Sequence, residues 1–450
     1  MSAYPESTPS TTTEDKYNSS STSPPAIIQT LPGLAMAGFN SSNAAPDATV
    51  TTALKASLDA IDAADAPLRE LNRAIHDNPE LAYKEFFAVK TISAFLKKEG
   101  FAVTEQTYGL ETSFTSEVGQ GGPLVIICAE YDALPGIGHA CGHNLIATSS
   151  IAAFLGAATA LKSSGIPGRV RLLGTPAEEG GGGKCKLIDA GAFRDKDIGA
   201  AIMAHPVTAH QFSDGYTGLA GLKFIASHKF RVEYRGQQAH AAGEPWNGVN
   251  ALDAAITTYN SVSMLRQQMR PDERVHGVIE DGGSVPNVIT AYARMNWYVR
   301  APNVARADKL LAKVHKCCEA AAAATGCEIN FITAPTYKNL RVNLPLCKQY
   351  VEDMATIGEK IMVKNDESYT ASTDMGNVSF EVPSFHGTFP IPTEPNVSMH
   401  HPRFAGHAAT DDAHRAAITC AKGMAMLALR VLTDPRLVEE AWKDFENFDD

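Results

Sequence analysis

The sequence has little that would direct it to nucleic acid or to a membrane. Its 39 lysines and arginines form no basic block, and the formal net charge is −11 over 450 residues. Such a chain is not expected to bind nucleic acid or an anionic membrane surface. No uninterrupted apolar run reaches the ~18 to 20 residues of a membrane-spanning helix. The N-terminus also lacks a basic region followed by an apolar one, so we expect a cytoplasmic protein.

Cysteine pairs at metal-site or redox spacing are absent as well. The chain has eight cysteines, but no two of them form a C-x-x-C motif. This excludes a zinc ribbon and a thioredoxin-type centre. Eight cysteines scattered over so long a chain do not make a disulfide scaffold, and we expect most of them to be reduced and buried.

What the sequence does contain is enough apolar material for more than one core. Hydrophobic residues make up 44% of the chain, and its length favours two domains. Residues 1–50 are rich in Ser, Thr and Pro and are predicted to be a disordered tail. The pattern after the tail predicts a main domain formed by residues 51–222 and 336–450. Residues 223–335 are predicted to be an inserted domain.

The main domain is predicted to be of the α/β class. Three short apolar runs, Leu124–Ala129, Arg169–Gly174 and Ala200–Ala204, have the composition of buried parallel strands. Helical stretches at about 144–163 and 184–190 separate them. Strands that alternate with helices indicate a parallel sheet that is covered on both faces.

The inserted segment has a different order of elements. Its strand and helix signals follow one another as β-α-β-β-α-β, which is the order of a ferredoxin-like α+β unit. Sequence of α/β type resumes near Pro345, and a helix over about 411–432 is predicted to close the main domain.

Residues that can bind metal follow each of the three predicted strands. Cys141 and His143 come after the first strand, Glu178 and Glu179 after the second, and His205 after the third. Ligands of open α/β sheets bind beyond the carboxyl ends of the strands. Thiolate, imidazole and carboxylate are ligands that zinc accepts. Each residue alone is a weak signal, but their coincidence at one edge predicts a metal site.

Other interpretations of the same segments are weaker. Gly183-Lys184 is followed by Cys185, where a phosphate-binding loop needs Ser or Thr. A thiol hydrolase with Cys141 as nucleophile and His143 as base remains open. The thiol mechanism assigns no role to Glu178, Glu179 or His205, whereas a metal site has a role for all three.

The motifs resemble metallopeptidase family twenty, the aminoacylases, carboxypeptidases and dipeptidases with two catalytic metals. The stretch Glu130–Asn144 is similar to the amidohydrolase branch, and Ser372–Ser379 is similar to the β-alanyl-lysine (Xaa-Arg) dipeptidase type. The resemblance covers about residues 55–435. It implies a catalytic domain of the zinc-exopeptidase type, with the inserted domain as a lid and dimerisation domain.

The resemblance also implies a ligand set and a base. Two divalent ions are expected, with zinc as the first choice and manganese or cobalt as substitutes. Glu178 corresponds to the general base. The residues that correspond to the metal ligands are Cys141, His143, Glu179, His205 and His400.

Further residues are assigned by the same resemblance. Asp132 is expected to orient a ligand histidine. His240 is expected to stabilise the oxyanion, often from the partner subunit of a homodimer. Asn287 is expected to bind substrate, and Arg300 either meets a substrate carboxylate or is a solvated charge at a strand end. Asp374 is either a substrate contact or a turn residue.

Together these features predict a metal-dependent hydrolase that cleaves the amide bond of a dipeptide or an N-acyl amino acid, with Glu178 as the base. Its partners would be this small substrate and a second copy of the chain, bound through the inserted domain. Two alternatives from other classes stay open: a thiol amidase that depends on Cys141, and a non-catalytic relative that binds amino acids.

Overall fold

The computed structural model describes residues 48–365 and 369–448. The predicted disordered tail, residues 1–50, lies outside the described residues except for its last three, which begin a helix. The helices are α1 (Ala48–Ala63), α2 (Asp65–Asp77), α3 (Phe86–Lys98), α4 (His143–Ser164), α5 (Gly183–Asp189), α6 (Ala251–Leu265), α7 (Val304–Thr325), α8 (Leu344–Thr356), α9 (Met375–Val378), α10 (Pro402–Ala408), α11 (Asp411–Thr433) and α12 (Pro435–Glu446).

The strands form two separate sheets, one of eight strands and one of four. The larger has the order β1-β2-β4-β3-β5-β12-β6-β11, and the smaller has the order β10-β7-β9-β8. The strands are β1 (Thr104–Glu105), β2 (Phe114–Gln120), β3 (Leu124–Ala129), β4 (Gly168–Gly174), β5 (Ile198–Thr208), β6 (Gly218–Gly221), β7 (Ala226–Arg235), β8 (Arg274–Asp281), β9 (Tyr292–Ala301), β10 (Glu328–Thr333), β11 (Ile361–Lys364) and β12 (Ser384–Ile391).

The centre of the large sheet is parallel, as the alternation of strands and helices predicts. β3 pairs in parallel with both β4 and β5, and β12 continues the parallel run beside β5. All six residues of β3 are buried. Val125 and Ile127 join one hydrophobic core, whereas Leu124 and Ile126 join another. Because successive side chains of a strand point to opposite faces, both faces of this sheet are covered.

Two helices of the main domain are long and apolar enough to cross a membrane by length and composition. They are α4 and α11. The sequence criterion, an uninterrupted apolar run, does not identify these two helices. In α4, 94% of the most apolar window is buried inside the protein, and in α11 the share is 72%. Helices that are apolar on most sides pack in the core of large domains, and this burial accounts for their composition.

The small sheet and its two helices form the ferredoxin-like unit. Its elements follow the chain as β7-α6-β8-β9-α7-β10, and all its strand pairs are antiparallel. Phe230, Trp297 and Val299 point to the face that packs against α6 and α7. The residues that alternate with them along the strands, such as Lys229 and Tyr298, point to the opposite face, towards the main domain. The predicted catalytic domain with an inserted α+β domain is therefore confirmed.

One predicted strand end is wrong in position. β5 does not stop at Ala204 but continues to Thr208. The reason is that β12 pairs with it along this whole length, from Ser384 opposite Ala201 to Ile391 opposite Thr208. His205 consequently lies within the strand rather than after it.

Candidate metal centre

Four separate segments bring potential metal ligands to one point. The Cys141 sulfur lies 3.5 Å from His205 Nε2 and 3.3 Å from His400 Nε2. The Oε1 atom of Glu179 is 3.3 Å from His400 Nε2 and 3.9 Å from His143 Nε2. The sequence predicts this convergence, and the structure brings all five residues together.

The ligand atoms fall into groups that could each hold a metal ion. Cys141, His143 and His205 form one group, and Cys141, Glu179 and His400 form a second. A third combines His143 with Glu178 and Glu179. Within each group the ligand atoms lie within 4.8 Å of one another. Since the first two groups share the Cys141 sulfur, they describe two neighbouring positions with a common thiolate.

The backbone around the cluster is tight. Gly142 has φ +83°, and a Cβ atom there would stand 2.6 Å from the Pro206 ring. Only glycine accepts this conformation and this contact without strain. His400 itself has φ 66°, which is unusual for a residue with a side chain, and its N–H donates to the Ala140 carbonyl at 2.8 Å. Such strain is typical of functional positions.

Two ligand histidines are oriented by their far ring nitrogens. His143 Nδ1 donates to Asp132 Oδ1 at 3.0 Å, and His205 Nδ1 donates to the Pro206 carbonyl at 2.7 Å. Each Nε2 is thereby directed into the cluster with its lone pair. Asp132 Oδ2 also accepts the Glu179 N–H at 2.9 Å, so this carboxylate connects two of the potential ligands.

Unpartnered polar atoms show that the cluster suits a cation. Among the described residues, the buried atoms His143 Nε2 and Glu179 Oε1 have no hydrogen-bond partner. Buried polar groups are almost always satisfied, so an unsatisfied pair that faces one point needs an explanation. A bound metal ion satisfies both atoms.

The two adjacent glutamates have opposite electrostatic environments. Burial raises the pKa of Glu178 well above its usual range, and the Glu130 and Glu179 carboxylates raise it further. Burial opposes ionisation of Glu179 too, but the adjacent His400 and His143 imidazoles lower the pKa of Glu179 to about 2. Carboxyl groups whose pKa values are separated in this way are suited to different tasks. Bound cations would shift the balance towards the charged forms.

The loop that carries Glu178 is held from both sides. The residue before it, Ala177, has φ 60°, and its N–H donates to Glu85 Oε1 at 2.9 Å. Tyr337 donates its hydroxyl to the Glu178 carbonyl at 2.5 Å and accepts the Gly182 N–H at 2.9 Å. Neither Glu85 nor Tyr337 is predicted from the sequence, because each acts through a contact that is distant in the chain.

A buried ion network behind the loop is also missed by the sequence. The Lys184 ammonium lies 2.5 Å from Glu130 Oε1 and 2.7 Å from Asp374 Oδ1. The Lys184 N–H donates to the other Asp374 oxygen at 2.8 Å, and all three side chains are buried. Asp374 is therefore neither a substrate contact nor a plain turn residue, because both of its oxygens are occupied by Lys184.

A cavity of about 760 Å³ adjoins the cluster, between the main domain and the inserted sheet. It has the size of a binding site for a small molecule. Arg300 lies in its wall, where its Nη1 donates to the Thr370 carbonyl at 3.3 Å. The described residues that line the cavity are Leu134, Glu178, Glu179, Gly180, Ile225, Lys229, Arg274, His276, Tyr298, Arg300, Tyr337, Tyr369, Thr370, Ala371, Ser372 and His400.

His240 and Asn287 lie elsewhere. They are neighbours in the inserted domain, where the Ala241 N–H donates to the Asn287 carbonyl at 3.0 Å and His240 forms an isolated antiparallel β-bridge with Val288. His240 Nδ1 accepts the Gly243 N–H at 3.0 Å. Neither residue is among the described ones that line the cavity, so within one chain they are not brought to the cluster.

Sequence comparison assigns the chain to a family. The model of peptidase family M20/M25/M40 matches residues 126–425. Xaa-Arg dipeptidase of Mus musculus is 41% identical over 401 residues, which are 86% of this chain and 90% of that protein. A p-aminobenzoyl-glutamate hydrolase chain of Escherichia coli is 27% identical, over 87% of this chain and 94% of that protein.

Solved structures share the fold. A putative aminohydrolase from Staphylococcus aureus superposes with a TM-score of 0.67 at 20% identity, over 84% of this chain and all of that one. A dinuclear metal-binding peptidase from Bacillus subtilis gives 0.61 at 22% identity, over 82% of this chain and 99% of that one. The motifs, the fold and the family match agree: this chain belongs to peptidase family M20/M25/M40, and it is a hydrolase of that family.

Proposed function

We propose that the protein hydrolyses the amide bond of a dipeptide or an N-acyl amino acid, with two divalent metal ions at the Cys141 cluster. One observation carries this proposal: the cluster and the Glu178 carboxylate open into the same cavity as Arg300. A base, a cation site and a group that can bind a carboxylate thus face one volume of substrate size.

The ligand set suits zinc. Cys141 with His143 and His205 would hold one ion, and Cys141 with Glu179 and His400 would hold the other. A shared thiolate with imidazoles favours zinc, and manganese or cobalt can occupy such mixed sites. When bound, the ions supply Lewis-acid activation of water and of the scissile carbonyl.

The protein's own groups then move the proton. Glu178 is placed beside the cluster with its carboxylate on the cavity, so it can take a proton from the attacking water and deliver it to the leaving amine. The water oxygen forms the new C–O bond, and the C–N bond breaks with the amine as leaving group. Tyr337 and Glu85 fix the Glu178 loop, which keeps the carboxylate in position during this transfer.

The activities after which the relatives are named support the substrate class. The relatives include an Xaa-Arg dipeptidase, a p-aminobenzoyl-glutamate hydrolase and an N-acetyl-L-cysteine deacetylase. The substrate in each of these names is an amide of an amino acid whose α-carboxylate is free. In this chain Arg300, which lines the cavity, would bind such a carboxylate through paired hydrogen bonds.

The thiol alternative has less support. Burial raises the pKa of the Cys141 thiol, whereas a nucleophilic cysteine needs a lowered one. Chelation separates the two mechanisms, since a thiol hydrolase retains its activity in EDTA.

The proposal is tested by measuring amide hydrolysis and bound metal in the same samples. EDTA should abolish hydrolysis of a panel of dipeptides and N-acyl amino acids, and zinc or manganese should restore it. Glu178→Gln should lower kcat about 10²- to 10⁴-fold while the metal content stays unchanged. Full activity in EDTA, or a Glu178→Gln variant with unchanged kcat, would contradict the mechanism.

We further propose that the inserted domain forms a homodimer and that the partner subunit's His240 and Asn287 complete the site. Large hydrophobic side chains are exposed mainly on this domain: of twelve in the described residues, all but Leu81, Phe86 and Phe87 belong to it. Trp246 is 76% exposed and Met264 is 70% exposed. Apolar surface of this kind marks an association surface.

A strand edge adds to this surface. β8 is an edge strand of the small sheet, and its residue Val278 is 60% exposed. An open edge of this kind can pair with the same edge of a second copy.

Complementation tests this arrangement. Glu178→Gln and His240→Ala are each expected to be inactive alone. Mixed by co-refolding or co-expression, they should regain about a quarter of wild-type activity, since half of the dimers are mixed and each mixed dimer has one complete site. No recovery from a mixture that contains heterodimers would show that His240 does not act across the interface.

A further inference from the structure

Three cationic side chains on the inserted sheet face the candidate site. Lys229 on β7, Arg300 on β9 and Arg274 on β8 all line the cavity. The strand register explains why they share one face: Arg300 is opposite Arg274, and Lys229 is opposite Tyr298, two residues before Arg300. Residues two apart in a strand point to the same side. We call these three residues the cationic face.

The cationic face has little negative charge to balance it. Among the described residues that line the cavity, the only carboxylates are Glu178 and Glu179, which belong to the catalytic cluster. In the part of the chain that the structure describes, no carboxylate lies within 4.0 Å of any cation of the face. Arg300 instead donates to the Thr370 carbonyl, and Arg274 donates to the carbonyls of Pro271 and Glu273.

Lys229 is half-buried in this wall, beside two tyrosine rings. Its ammonium lies 3.7 Å from the centre of the Tyr337 ring and 5.6 Å from the centre of the Tyr298 ring. Burial lowers the pKa of Lys229, and Arg300 lowers it further, although Glu178 opposes both. A partly desolvated cation without a paired anion is unfavourable, and an anion that binds beside it recovers that free energy.

The spacing of two of these cations suits one small ligand. Lys229 and Arg300 are diagonal neighbours on adjacent antiparallel strands, where backbone positions are about 7 to 8 Å apart and long side chains can converge. The two carboxylates of glutamate or aspartate are separated only by the α-carbon and a short methylene link. With the α-carboxylate at Arg300, the side-chain carboxylate comes within reach of Lys229.

We propose that Lys229 is a specificity-determining residue that selects substrates whose released amino acid is dicarboxylic, glutamate or aspartate. This inference rests on the proposed function, because it takes Arg300 as the site of the α-carboxylate. The Lys229 ammonium then binds the side-chain carboxylate directly. A neutral or basic side chain leaves the ammonium unpaired or repels it.

The test compares glycyl dipeptides that differ only in the released residue. Gly-Glu, Gly-Gln and Gly-Arg are assayed with the wild type, Lys229→Met, Lys229→Arg and the matched control Lys309→Met. Lys309 is an exposed lysine of the same inserted domain that does not line the cavity. For the wild type, kcat/KM should be about 10- to 100-fold higher for Gly-Glu than for Gly-Gln, as expected for one charge-assisted hydrogen bond.

The variants should change this ratio according to charge. In Lys229→Met the ratio of kcat/KM for Gly-Glu over Gly-Gln should fall towards one, whereas Lys229→Arg and Lys309→Met should keep it. A wild type that prefers Gly-Arg, or a ratio that is unchanged in Lys229→Met, overturns the inference.

Product inhibition of the wild type gives a measurement that needs no variant. Glutamate should inhibit hydrolysis of a common substrate at lower concentration than glutamine or arginine does, and equal inhibition by glutamate and glutamine overturns the inference. Failure of the proposed function looks different, because then the wild type with bound metal cleaves none of the dipeptides. Cleavage without preference for the acidic residue refutes the role of Lys229 alone.

Discussion

Lys184→Met should destabilise the protein strongly, because it removes the cation from a buried ion network. The side chain of Lys184 is fully buried, and its ammonium is within 2.7 Å of oxygens of both Glu130 and Asp374. Methionine has a similar length and no charge. The variant therefore leaves two carboxylates in the interior without their common partner.

The expected magnitude follows from the cost of breaking such a pair. Removing one partner of a buried ion pair typically costs about 3 to 5 kcal/mol, and a whole domain is stable by only about 5 to 15 kcal/mol. The loss should appear in urea denaturation followed by circular dichroism, as a large decrease in the midpoint concentration at unchanged slope. Lys309→Met is the control for loss of an exposed lysine and should be within about 0.5 kcal/mol of wild type.

The loss should depend on pH with a definite sign. Burial raises the pKa of Asp374, and the positive charge of Lys184 lowers it, so that the net rise is smaller than burial alone would give. Without the lysine the folded-state pKa of Asp374 rises further above its unfolded value. A group of this kind stabilises the folded state below the unfolded pKa and loses that contribution as pH rises through the folded pKa. Lys184→Met should therefore be less destabilised at pH 5 than at pH 8.

A compensating variant makes this reasoning refutable. Lys184→Met combined with Asp374→Asn removes one positive and one negative charge and should recover part of the lost stability, most clearly at pH 8. A single variant that loses less than about 1 kcal/mol, or a double variant that is less stable than the single one at pH 8, would show that the network is not held by its charges.

Two further changes test the support of the site. Asp132→Asn should lower metal affinity about 10- to 100-fold, because it weakens the hydrogen bond that orients His143. Competition with a chelating dye measures the affinity, and an unchanged value would contradict the orienting role of Asp132. Tyr337→Phe should cost about 1 to 3 kcal/mol and lower kcat more than it changes KM, because it frees the Glu178 carbonyl and the Gly182 N–H. A Tyr337→Phe variant with wild-type kcat would show that the Glu178 loop keeps its place without this hydroxyl.

The sequence is informative where local pattern and structure coincide. The run at Leu124–Ala129 is apolar throughout, and the run at Arg169–Gly174 is rich in branched apolar residues. Both are bounded by glycine, proline or polar residues, and both are strands within one residue of the predicted ends. Because parallel strands present their carboxyl ends at one edge, the residues after them can be placed at that edge from the sequence alone. The convergence of the cluster could be predicted for this reason.

Pairing across the sheet could not be predicted in the same way. β12, Ser384–Ile391, contains a histidine, a glycine and a proline and has no clear strand pattern. It is a strand because it fills the gap between β5 and β6. The same pairing extends β5 through His205, so this ligand is fixed by neighbouring strands rather than by a loop. β-structure is decided by such context more than by intrinsic preference.

The buried lysine shows a second limit. Lysine is almost never fully buried unless it is paired, so the side chain of Lys184 would be expected to be exposed. Its partners are 54 and 190 residues away in the sequence. A single sequence gives no sign that these three charges meet. Pairing at such distances is settled only when the whole domain is folded.

The division of the site between two domains has a consequence for specificity. The ligands and Glu178 are fixed by the large sheet, its loops and the Lys184 network, where a change disturbs several partners at once. The cationic face stands on a sheet whose other side is packed against helices, and the alternation of side chains separates the two sides. Lys229 can therefore be exchanged without altering the residues that pack the inserted core or bind the metal. Selectivity for the released residue should accordingly change more easily than the chemistry, and swaps at position 229 should alter substrate ratios while metal content stays constant.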